Sequence, residues 1–256
     1  MLYVADSHQI IGQPEEEQAL LARATAWGAG ELALHGLGPL LEPSTQGARA
    51  LESFANRARV RGIALVAPIA GIDRLTALER FEGAHPHARF AGWVTELEYW
   101  HECGNERRGS RTCFAPLDRL LSAMSAAAMR RGERPWIGVY LGYPTREEAR
   151  SIGRRADRVL LSYTGTTPRA ALADRRDPLR SPARRLAHFA AVRAELWPIL
   201  YARGEVPMDG WVRPRAERGV PAGLQAAEHE IGLGLGERRQ GGFAWFDYRG
   251  MTSLER

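Results

Sequence analysis

Residues 31–69 read ELALHGLGPLLEPSTQGARALESFANRARVRGIALVAPI. Two short apolar runs, Glu31–Leu37 and Gly62–Ile69, flank the amphipathic stretch Thr45–Arg61. Short runs rich in Leu, Val and Ile read as strands, and apolar residues at helical spacing between them read as a helix. Strand, helix, strand is the signature of a parallel pair joined by a crossover. The pattern spreads outward in both directions. Further strand-like runs are Leu2–Asp6, Phe90–Glu98, Trp136–Leu141, Arg158–Tyr163, Trp197–Ala202 and Gly242–Tyr248, eight in all. Helical stretches between them include Pro14–Trp27, Ala115–Arg131, Thr145–Arg155, Ser181–Leu196 and Pro221–Leu235. Pro14, Pro144 and Pro221 stand where helices start.

Eight parallel strands close most economically into a (β/α)8 TIM barrel, and 256 residues is the usual size of one. The expectation is a single α/β barrel domain over residues 1–256, with the eighth helix short or missing. The rival is an open doubly wound sheet. Against it, no G-x-G-x-x-G follows the first strand, and Gly232, Gly234 and Gly236 read as a helix exit.

Hydrophobic residues make up 45% and charged residues 25% of the chain, ordinary usage that supports a buried core and excludes global disorder. All 35 basic residues are arginine. No lysine is available for a Schiff base or a P-loop. The net charge of +5 is mild for this length. The arginine pairs are scattered and lack interleaved aromatics, so nucleic acid is not expected as a partner. No apolar run approaches the ~18 residues of a membrane span. The chain reads as soluble, cytoplasmic as written and exported if a leader has been removed, with oligomeric state open. Cys103 and Cys113 are either a disulfide or two free thiols.

Function is sought at the C-terminal ends of the strands, where barrel active sites are built. Strand 4 runs Gly92-Trp93-Val94-Thr95-Glu96-Leu97-Glu98-Tyr99-Trp100. Strand alternation puts Glu96 and Glu98 on one face with Gly92 and Val94, and Trp93, Leu97 and Tyr99 on the other. Two carboxylates at one mouth raise the affinity of at least one for its proton, which suits a general acid. Strand 7 places Tyr201, Arg203 and Glu205 on one parity, with Glu205 a candidate second carboxylate across the mouth. Trp245 of strand 8 is a candidate sugar platform. Tyr163, Tyr140, Tyr143 and Tyr201 make the mouth aromatic, and Tyr163 is a candidate hydrogen-bond donor to developing charge. Asp6, His8, His35 and Asp247 complete the candidate ligand contacts.

A strand-4 Glu-x-Glu, a strand-6 Tyr and a strand-8 Trp in this order resemble the chitinase and endo-N-acetylglucosaminidase class of glycoside hydrolase barrels. Uncharacterised bacterial proteins of that barrel type are similar. Members of the class carry a strand-4 D-x-x-D-x-D-x-E run, whose last Glu is the general acid. The acid two residues earlier orients the substrate's acetamido group. The resemblance implies that Glu98 is the acid and Glu96 the orienter, that Tyr163 steadies the acetamido oxygen, and that Trp245 forms the floor. The earlier acids of the run are absent, Gly92 and Val94 occupying this face, and Glu96 replaces an Asp. The strand-4 and strand-7 pair also resembles the large retaining class with its acid on strand 4 and its nucleophile on strand 7. There Asn usually precedes the acid, whereas Leu97 stands here.

The reading is thus a glycoside hydrolase-like enzyme acting on a glycan or glycoside, with catalytic Glu98, Glu96 and Glu205 and no cofactor or metal. Two alternatives stay open. One is a carbohydrate-binding barrel without turnover, and the other a glycosidase-type barrel recruited to acid–base chemistry on a small metabolite or peptide. A metal centre using Asp6, His8, His35 and Glu98 or His101 is a lesser rival, because strands 5 and 6 offer no histidine. Cysteine catalysis has only His101-Glu102-Cys103 behind it, and no G-x-S-x-G elbow is present.

Overall fold

A computed structural model describes residues 1–99, 111–142, 144–162, 188–189, 192–201, 207–235 and 241–255. Eight strands pair in chain order and close into a barrel. They are β1 (Leu2–Val4), β2 (Glu31–Leu34), β3 (Ala64–Ile69), β4 (Gly92–Thr95), β5 (Trp136–Leu141), β6 (Arg158–Ser162), β7 (Glu195–Tyr201) and β8 (Ala244–Phe246). Every neighbouring pair is parallel, including β1 with β8, where Leu2 pairs with Trp245.

The helices among the described residues are α1 (Pro14–Ala26), α2 (Gln46–Val60), α3 (Ile72–Ala84), α4 (Arg111–Arg130), α5 (Arg146–Ile152), α6 (Pro207–Val212), α7 (Val220–Leu235) and α8 (Tyr248–Thr252). Thr45 caps α2 by accepting from the Ala48 amide. Thr145 opens α5 with a reciprocal capping box to Glu148, so two of the free amides at this helix start are satisfied. The helix that follows β8 is five residues long, the short eighth helix expected. None of the helices is long and apolar enough to cross a membrane, among the described residues.

Alternation divides each strand between two cores. Tyr3, Ala33, Val66, Val94, Leu160, Trp197, Ile199 and Ala244 fill the barrel. Their neighbours Leu2, Val4, Leu32, Leu34, Trp93, Leu161, Leu200 and Trp245 face the helices. Both faces are apolar because a parallel barrel strand is covered on both sides.

The N-terminal end of the barrel is closed by a stack. The Arg158 guanidinium lies 4.0 Å from the Trp136 ring centre and 4.4 Å from that of Trp197. Its Nη1 donates to both Glu31 carboxylate oxygens at 2.8 Å. Trp136 needs room, and Gly92 supplies it: a Cβ there would fall 2.0 Å from Trp136 Cε2.

β1, β2, β4 and β8 end two or three residues sooner than the sequence suggests, because pairing stops where the chain turns over the mouth. The expected helix Ser181–Leu196 is corrected at its end. Glu195 and Leu196 belong to β7, paired with Arg158 and Val159. Residues 181–187 lie outside the described part of the chain.

Candidate active site

A cavity of about 410 Å³ opens at the C-terminal end of the barrel, a size typical of small-molecule sites. Tyr3, Ala5 and Asp6 reach it from β1 and the turn beyond, and His35 from the end of β2. Glu96 and Glu98 enter just past β4, Tyr140 from β5, Ile199 and Tyr201 from β7, and Phe246 from β8.

The β4 alternation persists beyond the last paired residue. The Glu96 amide still donates to the Ile69 carbonyl at 3.2 Å. The Leu97 amide donates to Thr95 Oγ1 at 3.3 Å. Leu97 packs on the helix-facing core, and Tyr99 is buried there, its hydroxyl donating to Glu148 at 3.0 Å. Glu96 and Glu98 are left on the cavity side.

Burial, followed by the charge of Glu98, pushes the Glu96 carboxyl up to about 7. Its side chain is 20% exposed, and Oε2 lies 3.3 Å from His35 Nε2. Glu98 has a different environment. Tyr140 of β5, Ser162 of β6 and Tyr201 of β7 interact with one another at the mouth, and Glu98 acts on both phenols. Burial pushes the Tyr140 and Tyr201 phenols up, so both stay protonated donors at neutral pH.

Tyr3, Phe246 and Tyr201 form an aromatic wall. Phe246 lies 5.7 Å from Tyr3 and 5.0 Å from Tyr201, ring centre to ring centre. The Tyr3 hydroxyl is buried with no hydrogen-bond partner, and burial together with nearby Glu96 raises its proton affinity well above the usual phenol range. An orphan hydroxyl on a cavity-lining side chain is costly unless a ligand or water uses it.

Sequence reasoning named Asp6, His35, Glu96, Glu98, Tyr140 and Tyr201, and all six line this cavity. It missed Tyr3 and Phe246. Alternation outward from the β1 and β8 pairing would have found both, since Tyr3 and Phe246 share the inward parity with Ala33 and Ala244.

Three expectations need correction. Trp245 is not the floor: it points outward into the helix-facing core, and its Nε1 donates to Glu228 of α7 at 2.7 Å. The parity of β8 puts Ala244 and Phe246 inside instead. Asp247 does not line the cavity but caps α8, accepting from the Gly250 amide at 2.7 Å. It is buried, and the Phe246–Asp247 peptide is cis. His8 is exposed on the 3-10 turn Ser7–Gln9 and lies against Gly36 outside the cavity. β1 ends at Val4 and Asp6 takes a φ of 50°, so strand alternation does not carry on to His8.

Tyr143, His101, Cys103, Tyr163, Arg203, Glu205 and the arginines of residues 169–185 lie outside the described residues. Cys113 is disulfide-bonded, which leaves it no role as a thiol nucleophile. Among the described residues, no three His, Cys, Asp or Glu side chains are grouped to hold a metal ion.

No protein-family model matches the chain, and no curated protein matches it. Solved structures do. A chitinase from Rhizomucor miehei superposes with a TM-score of 0.53 at 12% identity, covering 90% of this chain and 94% of that one. The fold is that of a chitinase-like barrel. The Bacillus cereus spore cortex-lytic enzyme SleL gives a TM-score of 0.50 at 12% identity, over 93% of this chain and 70% of its own. A chitinase from Bacteroides thetaiotaomicron gives 0.50 at 10% identity, over 97% and 89%. At such identities the likeness is one of fold. On the inward face of β4, Val94 packs in the barrel core and Gly92 makes room for Trp136.

Proposed function

We propose that the chain is a glycoside hydrolase-like enzyme whose strand-4 carboxyl pair acts on a glycan or glycoside at the barrel mouth. One observation carries this reading. Glu96 and Glu98, two residues apart, line the same cavity opposite an aromatic wall, and burial with the charge of Glu98 pushes the Glu96 carboxyl up to about 7.

Glycoside cleavage needs a proton for the leaving oxygen and negative charge near the oxocarbenium-like carbon. Glu98 supplies the proton, positioned by the Tyr140 hydroxyl. Glu96 supplies the second carboxyl, orienting the substrate or stabilising the charge that develops. Phe246 and Tyr201 offer flat faces for the C–H side of a sugar ring. The Tyr3 hydroxyl gives a ligand one unsatisfied donor at the base of the site. Glu205, if it reaches the mouth, makes the mechanism a two-carboxylate one, and otherwise an acetamido group on the substrate is the nucleophile.

The test is release of aryl leaving groups from a panel of α- and β-glycosides, N-acetylglucosaminides included. Wild type is run beside Glu98→Gln and Glu205→Gln. Turnover lost by a factor of about 10²–10⁴ in Glu98→Gln is the expected result. Turnover unchanged in that variant refutes the assignment. Binding of oligosaccharides without turnover of any substrate would instead mark a carbohydrate-binding barrel.

A further inference from the structure

Two groups of the mouth cavity can accept a hydrogen bond and receive none. The first is the hydroxyl of Tyr3, a residue 2% exposed, which bonds to nothing. Glu96, Tyr201 and Tyr140, all cavity groups, act on it electrostatically. The hydroxyl therefore faces the cavity, in keeping with the place of Tyr3 inside the barrel. The second is the Glu96 carboxyl. Among the described residues no donor hydrogen-bonds it: the His35 ring comes within 3.3 Å of Oε2 without forming a hydrogen bond.

The charge around these two groups is one-sided. The carboxyl side chains lining the cavity are Asp6, Glu96 and Glu98. The chain has no lysine, and no arginine lines the cavity among the described residues. Arg249 of α8 reaches Asp6 at 3.9 Å, but both side chains are half exposed, so their attraction is screened. A neutral hydroxyl from a ligand would fill a missing hydrogen bond. It would also take water from the carboxyl pair and raise the cost of its charge. A primary ammonium brings three donors and a positive charge in one group. Such a group satisfies the Glu96 carboxyl and the Tyr3 hydroxyl together and offsets the acidic lining. Tyr201 and Phe246, 5.0 Å apart centre to centre, add ring faces that attract a cation.

Resting on the reading of this cavity as a glycoside site, we propose that its substrate is an amino sugar with a free amine, whose ammonium is held by Glu96 and the Tyr3 hydroxyl. This differs from the N-acetylated substrate that the resemblance to chitinases implies. A free amine has no acetamido oxygen to attack the anomeric carbon. Cleavage of such a sugar needs a second carboxylate from the chain, so the two-carboxylate route is the one consistent with this ligand.

The test is calorimetric binding to the full chain at pH 7 and low salt, with two pairs of probes. One pair is a glucosamine oligosaccharide and its N-acetylated counterpart of the same linkage and length. The other is cyclohexylamine and cyclohexanol, a ring with and without the cation. The amine of each pair is expected to bind about tenfold more tightly than its neutral partner, and Glu96→Gln to bring the two together. Tyr3→Phe, which removes one oxygen, should weaken the amines and leave the neutral probes unchanged. Equal affinity within each pair of probes on the wild type, or preference for the neutral member, overturns the inference without any variant. Tight binding of the N-acetylated sugar alone overturns it and leaves the glycosidase reading intact. Amine preference that survives both substitutions places the ammonium elsewhere and overturns it too. Preference for cyclohexylamine with neither sugar bound removes the glycosidase reading while the ammonium site stands. Binding of none of the four overturns both.

Discussion

Glu96 makes the stability of this barrel depend on pH in a direction opposite to that of an ordinary salt-bridged carboxylate. In the folded chain its carboxyl is held near 7, against 4.5 in an unfolded one. Between those two values the folded state binds the extra proton, so stability falls as pH rises, and the loss is complete above the folded value. Holding the carboxyl there corresponds to about 3 kcal/mol, a large fraction of a typical folding free energy. Glu96→Gln replaces the group with a neutral one of the same shape. Wild type and variant are unfolded in urea at pH 4.5, 6, 7 and 8.5, followed by the fluorescence of the seven tryptophans. The two proteins should match at the lowest pH. The variant should become the more stable as pH rises, levelling off at about 3 kcal/mol above pH 8. Contributions from titrating groups that do not interact with Glu96 cancel in the difference. A difference that is flat with pH, or that turns against the variant at high pH, refutes the reasoning, since either would mean that Glu96 is comfortably ionised in the fold.

Other residues give independent checks. Tyr3→Phe removes a buried hydroxyl without a partner and should raise stability by about 1 kcal/mol in urea denaturation, and a loss would mean the hydroxyl is bonded. Gly92→Ala puts a Cβ 2.0 Å from the Trp136 ring and should cost about 2 kcal/mol or more, read as a lowered denaturation midpoint. Trp245→Phe breaks the bond to Glu228 and should lower stability by about 1 kcal/mol while leaving oligosaccharide affinity unchanged by calorimetry. Phe246→Ala should do the reverse to binding, weakening it by about tenfold.

What the sequence made legible follows from which strands mark their own faces. In β4 the polar pair Glu96 and Glu98 alternates with Leu97 and Tyr99, so one glance assigns inside and outside. In β8 the inward Ala244 and Phe246 and the outward Phe243 and Trp245 are all apolar. Nothing in Phe243–Phe246 announces its parity, and Trp245 was chosen for the stacking face of its ring, a choice the resemblance to chitinases then reinforced. The pairing of Trp245 with Leu2 and Leu200 settles it the other way. β1 posed the same problem, with Leu2, Tyr3 and Val4 all buried, and Tyr3 went unnoticed. His8 was misplaced because alternation was extended past Val4 into a turn with its own geometry. The barrel itself was readable throughout, because eight strand–helix repeats in this length leave few other ways to bury both faces of the sheet.

The central claim is that Glu98 gives its proton to a leaving oxygen. It is tested most directly by making that proton unnecessary. On a glycoside that wild type turns over, Glu98→Gln is compared with wild type on a dinitrophenyl leaving group, which departs unprotonated, and on an alkyl or sugar leaving group, which does not. The account predicts near-normal bond cleavage for the first and a loss of about 10²–10⁴ for the second. Equal losses on both substrates would contradict it and remove Glu98 from the acid's role.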